Sequence, residues 1–181
     1  MTDRASTYVT SYANPAKEPE VTDVHYLELL KAWAVRDDGN FTFTDGREKS
    51  EARGEVRIRE FTERHLRLRL NNAKNMVLVI GETTREDHEW IPLEIRYAVD
   101  DCAIPIIAAY PGQEFILDPT ELAPLWPVAL AKRIREGTAH VIHVPFRLEA
   151  LRDAIAQFGP AKLPQSGLSF YDIDTYRGWG Y

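Results

Sequence analysis

Asn75-Met-Val-Leu-Val-Ile-Gly81 is an apolar run closed by glycine, and Ile104-Pro-Ile-Ile-Ala108 is a second such run. A polar stretch and then Glu89-Trp90-Ile-Pro-Leu-Glu94-Ile lie between them. An apolar run, a turn, a helix and another apolar run make the pattern of a βαβ crossover. Strands of a parallel sheet are buried on both faces, so they read as continuous apolar runs rather than alternating ones. Pro92 falls in the first helical turn, where its missing N–H is least missed. Glu94 follows Trp90 by four residues, so carboxylate and indole share one helix face. Both are expected near the carboxyl end of the preceding strand, where open α/β sheets bind ligands. A carboxylate beside a flat aromatic suits a ribose and a planar base.

The rest of the chain supplies more units of the same kind. Thr7 to Ser11 reads as a first strand, and Asn14-Pro15-Ala-Lys-Glu-Pro19 as a loop. Thr22 or Asp23 caps a helix whose stripe is Leu27, Leu30 and Ala34. Asp37 to Asn40 is a turn, Phe41 to Thr44 alternates as a strand, and Asp45-Gly46 ends it. A charged segment from Arg47 to Gly54 leads into a helix reaching about Asn71. Ile58, Phe61 and Leu68 mark its apolar stripe, and Leu66 and Leu70 mark a second edge. After a loop from Tyr110 to Pro124, the residues Leu122, Leu125, Trp126 and Ala129 predict a helix ending at Gly137. His140 to Val144 is a last strand. Leu148, Leu151, Ile155 and Phe158 mark a final helix closed by Gly159-Pro160.

Five strands alternating with helices predict an α/β fold with a flavodoxin-like, doubly wound, parallel five-stranded sheet over residues 1–162. Residues 163–181 are aromatic-rich and lack a helical period. A disordered tail is poor in aromatics, so this one is expected to pack on the domain or on a partner.

Composition narrows the function. The chain has 181 residues, enough for one domain with a sizeable core. A net charge of -6 disfavours a nucleic-acid partner, because phosphate backbones demand a basic surface. No apolar stretch approaches the roughly 20 residues of a membrane span, and the N-terminus has no signal-peptide core. The one cysteine, Cys102, fits a reducing cytoplasm and reads as a small buried hydrophobe rather than a nucleophile. His140 and His143 stand three apart on a strand and so face opposite sides, which speaks against a shared metal site. His25, His65 and His88 read as partly or fully exposed. No glycine-rich dinucleotide fingerprint or P-loop is present, so a dinucleotide would not be held in the Rossmann manner.

The order of these motifs resembles a TIR domain, and in particular the bacterial TIR-like family that includes the Thoeris anti-phage protein ThsB. Tyr8-Val-Thr-Ser11-Tyr12 looks like the family's first strand, and Val77-Leu-Val-Ile-Gly81-Glu-Thr-Thr84 like its strand and small-polar turn. Trp90-Ile-Pro-Leu-Glu94 looks like its Trp-x-x-x-Glu helix, and Ile104-Pro-Ile-Ile-Ala108 like the strand that follows. The chain departs from animal NAD-cleaving members at Ala13 and Asn14, where they carry basic residues, and in the charged loop from Asp45 to Ser50.

This resemblance implies cleavage of the nicotinamide–ribose bond of NAD, which is a substrate and not a cofactor. The product would be ADP-ribose or, more in keeping with the Thoeris likeness, a cyclised or conjugated derivative. That diffusible signal would reach a separate effector protein. Glu94 is the implied catalytic carboxylate. By the same resemblance Trp90 would pack beside it, Ser11 and Tyr12 would line the cleft from the first strand, and Asp45 would lie at the mouth of a covering loop, whose Arg47 could meet a pyrophosphate. No metal is expected, and the aromatic tail is compatible with a homo-oligomer.

Each residue also has a plainer reading. Glu94 would pair with Arg85 or Arg96, Trp90 would pack in the core, and Asp45-Gly46 would be a turn. Two other functions share the fold type. One is a TIR-like scaffold that only assembles. The other is a nucleoside deoxyribosyltransferase-like enzyme with a carboxylate nucleophile.

Overall fold

A strand that is apolar throughout needs a cover on each side, and the two central strands have one. β3 (Ala73–Val79) is buried at every position but Lys74, and β4 (Ile106–Tyr110) at all positions. The computed structural model describes residues 4–12, 24–36, 43–45 and 55–181, with the backbone alone for 24, 43, 45 and 55–62. The expected loop at 14–19, the cap at Thr22 or Asp23, the turn at 37–40 and the charged segment containing Arg47 lie outside the described residues. So do the side chains of Ile58 and Phe61.

The other strands are β1 (Ser6–Thr10), β2 (Phe43–Asp45), β5 (Val141–Pro145) and β6 (Ser169–Phe170). All pairings are parallel, in the order β2-β1-β3-β4-β5-β6. The first five strands therefore have the flavodoxin-like order, with the switch in direction between β1 and β3. The sixth is a two-residue strand added at the edge by the C-terminal segment.

The helices are α1 (Val24–Arg36), α2 (Glu55–Asn72), α3 (Trp90–Arg96), α4 (Val128–Glu136), α5 (Leu148–Gln157) and α6 (Ile173–Gly178). Leu66 and Leu70 of α2, Ile91 and Ile95 of α3, and Leu130 of α4 cover one sheet face, meeting Tyr8, Met76, Leu78 and Ile106. Leu27 and Leu30 of α1, with Leu151 and Ile155 of α5, cover the other face against Val9, Val77, Val79 and Ile107. This is the doubly wound arrangement that the strand–helix alternation predicts.

Several local expectations are corrected. Leu66 and Leu70, one turn apart, face the core, which turns the intervening Leu68 out to solvent. The single helix expected from Leu122 onward is two pieces, a 3-10 segment (Pro119–Leu125) and then α4. Pro127 forces the break, because the residue before proline avoids helical geometry and Trp126 is extended, with ψ 134°. Gly137 ends α4 at φ 70°, a left-handed cap that glycine adopts freely. The last strand begins at Val141, leaving His140 just before it. The tail does contain a helix: Asp172 caps α6 by accepting from the Thr175 N–H at 2.7 Å.

One buried polar residue interrupts the apolar run. Asn75 in β3 is fully buried, and its amide donates to the carbonyls of Ile155 at 3.1 Å and Phe158 at 2.8 Å. These sit at the C-terminal end of α5, where helix carbonyls lack partners within the helix. Asn75→Ala should therefore cost about 1–3 kcal/mol of stability. Urea unfolding checks this, and a loss near zero would show that those carbonyls need no protein donor.

The C-terminal segment is anchored by polar bonds as well as rings. His143 in β5 is fully buried, with Nε2 2.9 Å from the Gly167 carbonyl and Nδ1 2.7 Å from the Tyr110 hydroxyl. A carbonyl only accepts, so Nε2 carries the proton and Nδ1 accepts from Tyr110. The Trp126 indole N–H in turn donates to the Tyr110 oxygen at 2.8 Å. Tyr176 is buried and its hydroxyl donates to the Ile116 carbonyl at 3.4 Å, while Tyr181 packs under the Arg147 guanidinium at 3.9 Å. Burial pushes the Tyr176 phenol up to about 12.

Burial also lowers the His143 imidazole from 6.5 to about 4, so it stays neutral in the fold. The unfolded chain then takes up a proton before the folded one does. This contribution is full above 6.5 and is lost as pH falls from 6.5 to about 4. It amounts to about 3 kcal/mol at most. Urea unfolding midpoints at pH 7 and pH 4.5 should differ more for wild type than for His143→Gln. An equal drop in both would show that His143 does not titrate on unfolding.

Candidate functional site

β1 runs between β2 and β3, and its carboxyl half gathers the residues of interest. Tyr8 lies level with Thr44 of β2 and Met76 of β3, and Val9 with Asp45 and Val77. Alternation sends Tyr8 to the face covered by α2 and α3 and Val9 to the face covered by α1 and α5. Ser11 and Tyr12 follow the strand's last residue. Ser11 is buried, at 3% exposure, and its hydroxyl has no hydrogen-bond partner among the described residues. Tyr12 is half-buried.

On the other side of β1 is the turn after β3. Thr84 is fully buried. Its hydroxyl accepts from the Gly81 N–H at 2.8 Å and donates to the Val79 carbonyl at 3.3 Å, which ties the turn to the strand end. Asp87 accepts from the N–H groups of Glu89 and Trp90, both at 2.8 Å, and so starts α3. Trp90 is half-buried at the first position of that helix. Four residues on, Glu94 is only 5% exposed, and its Oε1 accepts from the Tyr8 hydroxyl at 2.7 Å. The helix continues into a π-helical turn (Tyr97–Asp101), a form often found at functional positions.

Arg85 and Arg96, the partners in the plainer reading of Glu94, each make another contact. Arg85 donates to the Pro124 carbonyl, and Arg96 lies over the Tyr97 ring at 4.6 Å. Asp100, in the π turn, is held below the usual carboxylate range by Arg133 of α4, with Nε to Oδ1 at 2.9 Å.

Of the residues expected at the site, Glu94 is brought against β1 and Trp90 stands one turn before it on the same helix. Ser11 lies three residues beyond Tyr8, just past the strand's last residue. Asp45 ends β2 beside Val9, and its side chain is outside the described set. Arg47 is outside it altogether. Tyr8 was not anticipated as a functional residue. The available signal was a strand tyrosine on the core-facing parity, since a buried phenol needs a hydrogen-bond partner.

His88 is half-buried, and His140 donates from Nδ1 to the Pro164 carbonyl, 2.8 Å away. No group of three or more His, Cys, Asp or Glu residues converges among the described residues. No described helix is long and apolar enough to cross a membrane.

The family model described as the TIR-like domain of Thoeris protein ThsB matches residues 10–114, more than half of the chain. The chain belongs to this TIR-like family. The match spans the end of β1, the α3 helix with Trp90 and Glu94, and β4, so the Trp-x-x-x-Glu motif stands within the TIR-like region. The segments that follow, from Phe115 to the α6 helix, lie beyond it. No protein of curated function matches the chain.

Cys102 closes the π turn of the TIR-like domain. The residue is 6% exposed, and its thiol reaches the Asn71 side-chain oxygen at 3.3 Å and has its pKa pushed up by burial. It should resist iodoacetamide at pH 8 until the protein is unfolded. Rapid native-state labelling, read by intact mass, would show that it behaves as an accessible thiolate.

Proposed function

We propose that this TIR-like protein cleaves NAD at the nicotinamide–ribose bond and releases an ADP-ribose-derived, cyclised signal in anti-phage defence. The observation that supports this best is Glu94. It is a carboxylate fixed against β1, on the Trp-x-x-x-Glu helix of a chain within the Thoeris ThsB TIR-like family.

Nicotinamide in NAD is a cationic leaving group that departs without a proton, so a single carboxylate suffices where glycosidases use two. Positive charge develops on the ribose as the bond breaks, and an ionised Glu94 near C1 or the 2′ and 3′ hydroxyls stabilises it. Ser11, Tyr12 and Trp90 would line the ribose and base, and Asp45 and Arg47 would meet the substrate from the loop after β2. Whether water or a group of the same molecule then reaches C1 decides between ADP-ribose and a cyclic product. The signal acts on a separate effector in the cytoplasm, and self-association of the TIR-like domain is part of this reading.

A second reading is an assembly module without catalysis. Its support is the same carboxylate, because a Glu94 that is 5% exposed is already engaged with Tyr8. Glu94→Ala separates the two. The enzyme reading expects purified protein at high concentration to lose on the order of 100-fold or more in nicotinamide release. Unchanged release by the variant would sink it.

A further inference from the structure

We propose that Tyr8 is the positioning residue for Glu94, holding its carboxylate at the reacting ribose; this rests on the reading of Glu94 as the catalytic group. The Tyr8 hydroxyl donates to Glu94 Oε1 at 2.7 Å, and both side chains are buried. Tyr8 stands inside the sheet, with Thr44 beside it in β2 and Met76 in β3, so its backbone is paired on both sides and its ring is packed in the core. Glu94 has no such frame of its own. It projects from a seven-residue helix that passes directly into a π turn. A helix this short has little stability apart from its packing, and a glutamate side chain has three rotatable bonds. The hydroxyl ties one carboxylate oxygen to an interior strand of the sheet.

The reaction makes that tie matter. When the C–N bond breaks, its electron pair leaves with nicotinamide, which becomes neutral, and the positive charge passes to the ribose. A bond then forms from C1 to water or to a nucleophile of the same molecule, and any proton released goes to solvent. Glu94 contributes only if its charge stands at the right distance from C1 at that moment. A displacement near 1 Å can cost about 100-fold in rate. Tyr8 makes no contact with substrate in this account and acts through Glu94. Its loss should therefore lower kcat and leave KM nearly unchanged, as for an interaction realised in the transition state.

The test is a double-mutant cycle on NAD cleavage with wild type, Tyr8→Phe, Glu94→Gln and the pair. Tyr8→Phe removes one oxygen and keeps the ring. Leu151→Ala, in α5 on the opposite sheet face, serves as a control for destabilisation alone, with thermal unfolding recorded for all variants. The expected result is a kcat about 10-fold or more lower for Tyr8→Phe, with KM within about twofold. Tyr8→Phe should also have no further effect once Glu94 is Gln. Full kcat in Tyr8→Phe beside a large loss in Glu94→Gln overturns the positioning role and leaves the enzyme reading standing. Additive losses, or an equal loss in Leu151→Ala at matched stability, overturn it too. Turnover that is absent in wild type or unchanged in Glu94→Gln removes the enzyme reading itself, and the role of Tyr8 with it.

Discussion

A parallel sheet covered on both faces leaves only its ends open, and the placement of Glu94 follows from that constraint. β3 and β4 carry apolar residues toward α2, α3 and α4 on one side and toward α1 and α5 on the other. Open α/β sheets bind ligands at the carboxyl edge, from strand ends and the helices that start there. The order of the strands puts the switch in direction between β1 and β3, and α3 descends from the turn after β3. Glu94 projects from that helix back toward β1. Burying a carboxylate is costly unless it is hydrogen-bonded, and the Tyr8 hydroxyl meets part of that demand. The polar pair between the first strand and α3 is thus a consequence of the crossover geometry.

The C-terminal third extends the sheet and braces its far side. β6 adds a short edge strand, and the chain of bonds from Trp126 through Tyr110 and His143 to the Gly167 carbonyl runs in one direction, each donor meeting an acceptor. Such a fully satisfied buried network rigidifies what it joins. It joins β4, β5, the segment before α4 and the C-terminal residues, all but β4 lying beyond the TIR-like match. Tyr176 extends the brace to Ile116 in the segment after β4. The C-terminal aromatics are therefore part of how the carboxyl end of β4 is held.

The elements legible in the sequence were those set by backbone-level physics. Continuous apolar runs gave β3, β4 and β5, Pro92 and Gly137 bracketed helices, and Trp90 and Glu94 fell on one helix as their spacing requires. Part of what the sequence leaves open depends on contacts between distant segments. Leu68 matches a helical spacing as well as Leu66 and Leu70 do, and only the direction of the sheet decides that it points outward. The Trp126 indole would have extended a helix but for Pro127, a local rule that was there to be read. Asp172 and Thr175 likewise spell a cap that the aromatic composition of the tail obscured. No sequence signal pairs Tyr8 with Glu94, 86 positions away, or His143 with Gly167.

The central claim is that the buried carboxylate serves the cleavage of NAD. The most direct measurement is the mass of the products formed when NAD is incubated with the full chain in lysate of phage-infected cells. The account predicts free nicotinamide together with a new species at the mass of ADP-ribose less water or of an ADP-ribose conjugate. Intact NAD after incubation, in lysate where the protein is present and folded, would contradict it.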